Sequence, residues 1–112
     1  MKDDSIYLRD ILDSIGKIES FFADTSFGDF QNDEKTQNAV EFKLANIGEA
    51  ANRISEEFKK QNSQIVWRDI ILMRNFLIHD YSRVDPEKIW ETFQQDLPKL
   101  KTQIEKMIDE NF

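Results

Sequence analysis

The sequence predicts an all-α protein: an up-and-down four-helix bundle with a short extra helical turn and a proline-kinked last helix. Three observations carry this. Glycine and proline, which punctuate turns, number only 3 and 2 in 112 residues, and Glu, Lys, Leu, Ile and Asp are abundant. Apolar residues recur at steps of three and four, the period of one helix face. No stretch alternates apolar and polar residues as a half-buried strand would. The length fits one domain, 1–112, large enough to bury a core without staples.

Each helix has its own start signal and apolar stripe. Asp3, Asp4 and Ser5 supply capping oxygens for the first helix, with its stripe at Leu8, Ile11, Leu12, Ile15, Ile18 and Phe22. Gly16 interrupts the stripe at a cost of roughly 1 kcal/mol relative to Ala, and tolerance explains it more simply than a close helix contact. The helix is expected to end near Ala23-Asp24. Phe27 and Phe30, in a turn-rich connector, form a short helical turn over one end of the bundle. Asn32 or Asp33 then caps a long second helix whose seam is Val40, Leu44, Ile47, Ala51, Ile54 and Phe58. Gly48 and Ala50-Ala51 keep its middle slim, as a close helix crossing requires. After the polar break Gln61-Asn62-Ser63-Gln64, a third helix runs from about Ile65 to Tyr81. Asp85-Pro86-Glu87 starts the last helix, a cap followed by proline at the first helical position. Its apolar side holds Ile89, Trp90, Phe93, Leu97, Leu100, Ile104 and Ile108, and Pro98 kinks it.

Composition excludes several function classes. Without cysteine, disulfides, thiolate catalysis and Cys-based metal sites are impossible. One histidine rules out a His-rich metal site within a protomer, and no Glu-x-x-His pair offers a carboxylate di-metal centre. Neither metal nor cofactor is expected. No apolar segment is long enough to span a bilayer, and no secretory signal follows Met-Lys-Asp-Asp-Ser. A cytoplasmic protein without membrane association is the expectation. The net charge of -7 repels polyanions at long range, which disfavours a general nucleic-acid coat but leaves room for a small local basic cleft, and no DNA ligand is expected.

The candidate functional stretch is Met73-Arg74-Asn75-Phe76-Leu77-Ile78-His79-Asp80-Tyr81, which sets polar groups within an apolar run. Arg74 is permanently cationic, and its planar fork suits a phosphate. His79 is the side chain suited to proton transfer near neutrality. Together they match cleavage of RNA by its own 2'-hydroxyl, with Asn75 orienting a group or a phosphate oxygen. At about 100° per residue, Arg74 and Tyr81 lie within roughly 20° of one another, but His79 lies about 140° from Arg74. The helix must therefore unwind near His79, or a second molecule must complete the site. A two-fold homodimer supplies two Arg74 and two His79, and with them the two proton shuttles that acid-base cleavage favours.

Structural readings stand beside these. An Arg and His near a helix end commonly bond the last carbonyls, and Tyr81 has the amphipathic character of a core-edge residue. Glu49 and Arg53 read as an intrahelical ion pair. Trp67 and Trp90 read as core, and Glu56-Glu57-Phe58-Lys59-Lys60 as a solvated helix end.

The motif Arg74-(x4)-His79-x-Tyr81 resembles the Arg-x4-6-His signature of HEPN domains, in the subgroup typified by HepT toxins. The resemblance spans nearly the whole chain. It includes Tyr7 to Leu12, Asp33 to Val40, Asn46 to Ile54, Trp67 to Ile70, Trp90-Glu91 and Asp96 to Leu100. It implies a helical bundle that dimerises with its motifs facing, and a metal-independent endoribonuclease acting as the toxin of a toxin-antitoxin pair. Arg74 and His79 would be catalytic and Asn75 supporting. The antitoxin it implies is a minimal nucleotidyltransferase resembling MntA, which transfers AMP from ATP to the motif tyrosine, here Tyr81. Adenylylated Tyr81 would set bulk and negative charge on the face of Arg74.

One position departs from the family pattern. Relatives often carry Gly between the histidine and the tyrosine, where this chain has Asp80. Its carboxylate favours protonated His79 and opposes RNA. Two functional readings follow. The intact Arg, His and Tyr set favours a ribonuclease toxin. Asp80 and the acidic charge favour a non-catalytic binding subunit that holds a nucleotidyltransferase.

Overall fold

The chain's capping side chains fix the helix starts in a computed structural model that describes residues 3–75 and 85–112. Asp3 accepts from the Ser5 amide at 3.0 Å and opens α1 (Asp4–Phe22). Ser26 caps α2 (Phe27–Gln31), and Asp33 caps α3 (Glu34–Arg53). Ser55 caps α4 (Glu56–Gln61), and α5 (Trp67–Ile71) tightens into a 3-10 turn over Leu72–Arg74. Asp85 caps α6 (Pro86–Glu91), which passes through a π turn, Thr92–Asp96, into α7 (Leu97–Asn111). No strand occurs among the described residues.

Contacts between the helix ends give the topology. The Asp4 carboxylate at the start of α1 accepts from the Ser55 amide (2.9 Å) and hydroxyl (2.7 Å), just past the end of α3. Buried Gln37 at the start of α3 donates to the Phe30 and Gln31 carbonyls at 2.8 and 3.0 Å. Phe22, at the far end of α1, packs against Phe30 and against Trp90 of α6. Phe112, after α7, stacks on Phe58, which also meets Trp67 of α5. The directions of α1, α3, α5 and α6–α7 are therefore up, down, up, down. That is the predicted bundle, and α2 is the predicted extra turn over its aromatic end. The core runs through it as Leu8, Ile11, Ile15, Ile18, Val40, Leu44, Ile47, Ala51, Ile89, Leu97, Leu100 and Ile104, all essentially inaccessible.

One element departs from the sequence expectation, and another takes a form the sequence does not specify. The second helix stops at Arg53, and Phe58 reaches the core from the separate α4. The Ser55 hydroxyl accepts from the Phe58 amide at 3.2 Å while Asp4 takes the Ser55 N–H, so this serine starts a new helix instead of continuing the old one. At Pro98 the helix widens. Proline has no N–H and its ring crowds the carbonyl four residues back, and the adjoining Leu97 amide bonds Thr92, five residues back. Ile89 and Leu97, eight apart, would lie about 80° apart on a regular helix; the extra residue brings them within roughly 20° of one face. Met107 joins that face as a core residue, while Ile108 is only half-buried.

The Asp33 cap gives a pH prediction. The hydrogen bonds from the Thr36 hydroxyl (2.6 Å) and amide (3.1 Å) hold its carboxyl below the ordinary value of 3.8. A depressed native pKa stabilises the fold above the unfolded value, and the contribution is lost as pH falls through the lower, folded value. Asp33→Asn keeps a capping oxygen but removes the titration. In urea melts, the stability gap between wild type and Asp33→Asn is expected to be constant above about pH 5 and to shrink toward pH 3.

Candidate active site

Arg74 is placed by three features of the chain around it. Trp67, Ile70 and Met73 step by three and turn the inner side of α5 and its 3-10 extension to the core; Trp67 and Met73 are buried and Ile70 packs against the core. The Trp67 indole N–H donates to the Asn62 carbonyl at 3.1 Å and fixes where α5 begins. Gly48 sets how closely α3 approaches. A Cβ there would fall on the Arg74 amide nitrogen and lie 2.7 Å from the Ile71 carbonyl oxygen and 3.1 Å from the Arg74 Cα. No side chain fits, so the slim middle of α3 is the close crossing its sequence implied. Gly16, by contrast, has nothing within 4 Å of its hypothetical Cβ, as simple tolerance requires.

The segment held this way is the one that leaves α-helical geometry. Leu72–Arg74 is 3-10, and the Asn75 amide bonds back to Leu72 and Met73. The regular 100° wheel, on which His79 falls about 140° from Arg74, therefore does not hold at this turn. Arg74 is half-buried and Asn75 exposed. Among the described residues no carboxylate lies within ion-pair distance of Arg74. A cation that is neither salt-bridged nor fully hydrated is suited to a phosphate. His79, Asp80 and Tyr81 lie outside the described residues, so Arg74 and Asn75 are the candidate site residues that the structure describes. No cluster of three or more His, Asp or Glu residues poised for a metal occurs among the described residues. No described helix is long and apolar enough to cross a membrane.

The surroundings answer the remaining sequence readings. Glu49 and Arg53 form the expected intrahelical pair at 3.6 Å. Trp67 is core, and Trp90 is half-buried against Phe22, Phe27 and Phe30. The run Glu56 to Lys60 is not a simple solvated end, because Phe58 and Lys59 are buried within it. The legible signal was Ser55-Glu56-Glu57, a serine cap followed by two acids in the first turn.

Comparison with known proteins agrees with this architecture. Residues 11–107 match the family model described as ribonuclease HepT-like. A protein of Thermococcus cleftensis named as a probable ribonuclease HepT is 44% identical over 101 residues, covering 90% of this chain and 92% of that one. A Methanocaldococcus jannaschii protein provisionally named an RNase is 32% identical over 104 residues, with 93% and 95% covered. Another from that organism, whose name joins gamma-glutamylcyclotransferase to a provisional RNase, is 38% identical over 109 residues; these cover 97% of this chain but 49% of that protein. No solved structure matches. The chain belongs to the ribonuclease HepT-like family.

Proposed function

We propose that this chain is a metal-independent endoribonuclease, the toxin of a toxin-antitoxin pair, working as a homodimer with its motifs face to face. The observation that carries the reading is Arg74: half-buried, unpaired among the described residues, and backed by Gly48 on a tightened helical turn. Arg74 holds the scissile phosphate and offsets charge building on its free oxygens. His79 takes the proton from the 2'-hydroxyl as that oxygen attacks phosphorus. The bond from phosphorus to the 5'-oxygen breaks, and the partner's His79 protonates the leaving oxygen. The products are a 2',3'-cyclic phosphate and a free 5'-hydroxyl, with no net gain or loss of protons. Asn75, exposed beside Arg74, orients a phosphate oxygen.

Tyr81 is the control point in this reading. An MntA-like nucleotidyltransferase antitoxin transfers AMP from ATP to its hydroxyl with release of pyrophosphate, leaving a phosphate where the substrate's belongs. Intact mass is expected to rise by one adenylyl group after incubation with that partner and ATP, and Tyr81→Phe to show no rise. For the activity itself, purified protein is incubated with RNA in EDTA. Cleavage to cyclic-phosphate ends supports the reading, and intact RNA overturns it. The net charge of -7 favours a second reading, a non-catalytic subunit that holds the nucleotidyltransferase. It predicts adenylylation without cleavage in the same two assays.

A further inference from the structure

The groove between α4 and α5, of about 470 Å³, has Glu56, Lys59, Lys60, Arg68, Ile71 and Leu72 in its walls. Its charge opposes that of the molecule: three cations face one carboxylate here, whereas the chain carries 15 Lys and Arg against 22 Asp and Glu. Lys59 is only 9% exposed, and its ammonium has just long contacts, 3.5 Å to Glu56 Oε1 and 3.5 Å to the Asn52 carbonyl. Its carboxylate partner is itself 83% exposed, so that pair is weak. Lys60 and Arg68 are exposed and form no ion pair among the described residues. A largely desolvated ammonium beside two cations with no ion pair among the described residues favours an anionic ligand.

The groove is continuous with the Arg74 element yet distinct from the Arg74 face. Arg68 and Arg74 are six residues apart, roughly 10 Å along the axis of α5 and its 3-10 extension. Leu72, 47% exposed, lines the groove and lies about 120° round the 3-10 turn from Arg74. A strand leaving Arg74 therefore passes around the helix, over apolar Leu72, to reach these cations.

We propose that this groove is an RNA-backbone subsite: Lys60 and Arg68, supported by buried Lys59, hold phosphates of the substrate strand flanking the scissile bond. The proposal rests on the ribonuclease reading for its ligand but not for its measurement. Labelled oligouridine is titrated by fluorescence anisotropy into a His79→Ala background, so that bound RNA stays intact, over a range of salt. Adding Lys60→Gln and Arg68→Gln is expected to weaken binding roughly tenfold and to lower the slope of log Kd against log salt by about 1.4, two phosphate contacts on a single strand. A double variant of equal charge change on α7, Lys99→Gln with Lys106→Gln, is expected to leave the slope alone. Equal effects from the two pairs, an unchanged slope in the groove variant, or no RNA binding at all would each overturn the groove. If wild type binds RNA in the groove but leaves it uncut in EDTA, the ribonuclease reading fails while the subsite stands. If RNA is cut but the groove variant binds as before, the subsite fails while the ribonuclease reading stands.

Discussion

Arg74→Ala is expected to lower RNA cleavage by about 10²–10³-fold, the usual cost of deleting one donor to a developing oxyanion. The reason is geometric as well as electrostatic. Arg74 sits on a turn held by buried Met73 and by the bare backbone of Gly48, so its guanidinium is presented from a fixed base. Because no carboxylate pairs with it among the described residues, removal strands no buried charge, and the fold should survive. Arg74→Lys keeps the charge but loses the planar fork and is expected to fall between wild type and Ala. His79→Ala removes the proposed proton shuttle and is expected to cost about 10²–10⁴-fold. Single-turnover rates on one RNA in EDTA, beside circular-dichroism melts of each variant, check both. Equal rates for wild type and the two alanine variants would defeat the assignment.

Gly48→Ala is expected to be the most damaging of the three possible Gly→Ala changes. Its Cβ meets backbone atoms of Ile71 and Arg74, which cannot turn aside as a flexible side chain can. Overpacking of this kind costs typically about 1–3 kcal/mol, and backbone obstruction puts this site toward the upper end. For a domain near 100 residues that is a fall in Tm of roughly 5–20 °C. The strain falls on the turn carrying Arg74, so cleavage should decline even at temperatures where the variant stays folded. Gly16→Ala is the internal comparison. It enters open space on the same type of element and is expected to gain up to about 1 kcal/mol. Thermal melts of the two variants side by side test the contrast, and similar melting points would show that α3 does not need its bare backbone.

Much of the fold was legible because it is written in local chemistry. Asp3, Asp33 and Asp85 cap the helices they were expected to cap, since a capping oxygen satisfies amide donors two or three residues away whatever the rest of the chain does. The stripes of α1 and α3 are buried as their spacing requires, because each helix has one face to hide. The departures share a cause. Ser55 starts a new helix because Asp4, 51 residues earlier, accepts its N–H and O–H. Lys59 looked solvated because its neighbours in sequence are charged, while its neighbours in space are the walls of a groove. Pro98 interrupts its helix as its missing N–H requires, while the form of the interruption, a π turn that leaves Ile89 and Leu97 on one buried face, belongs to the packing.

By itself, then, the sequence determined the helix starts at Asp3, Asp33 and Asp85, the apolar faces, the exclusion of Cys-based and His-rich metal chemistry, and the setting of one permanent cation, Arg74, within an apolar run. These follow from side-chain type and from spacing within one or two turns. Tertiary structure alone decided what Gly48 is for, that Arg74 stands on 3-10 rather than α-helical backbone, and that Lys59, Lys60 and Arg68 share one groove. Those are meetings of residues brought together from separate elements, α3 with α5 and α4 with α5. Their distances are set by how two surfaces close on one another, and no period within either segment encodes that.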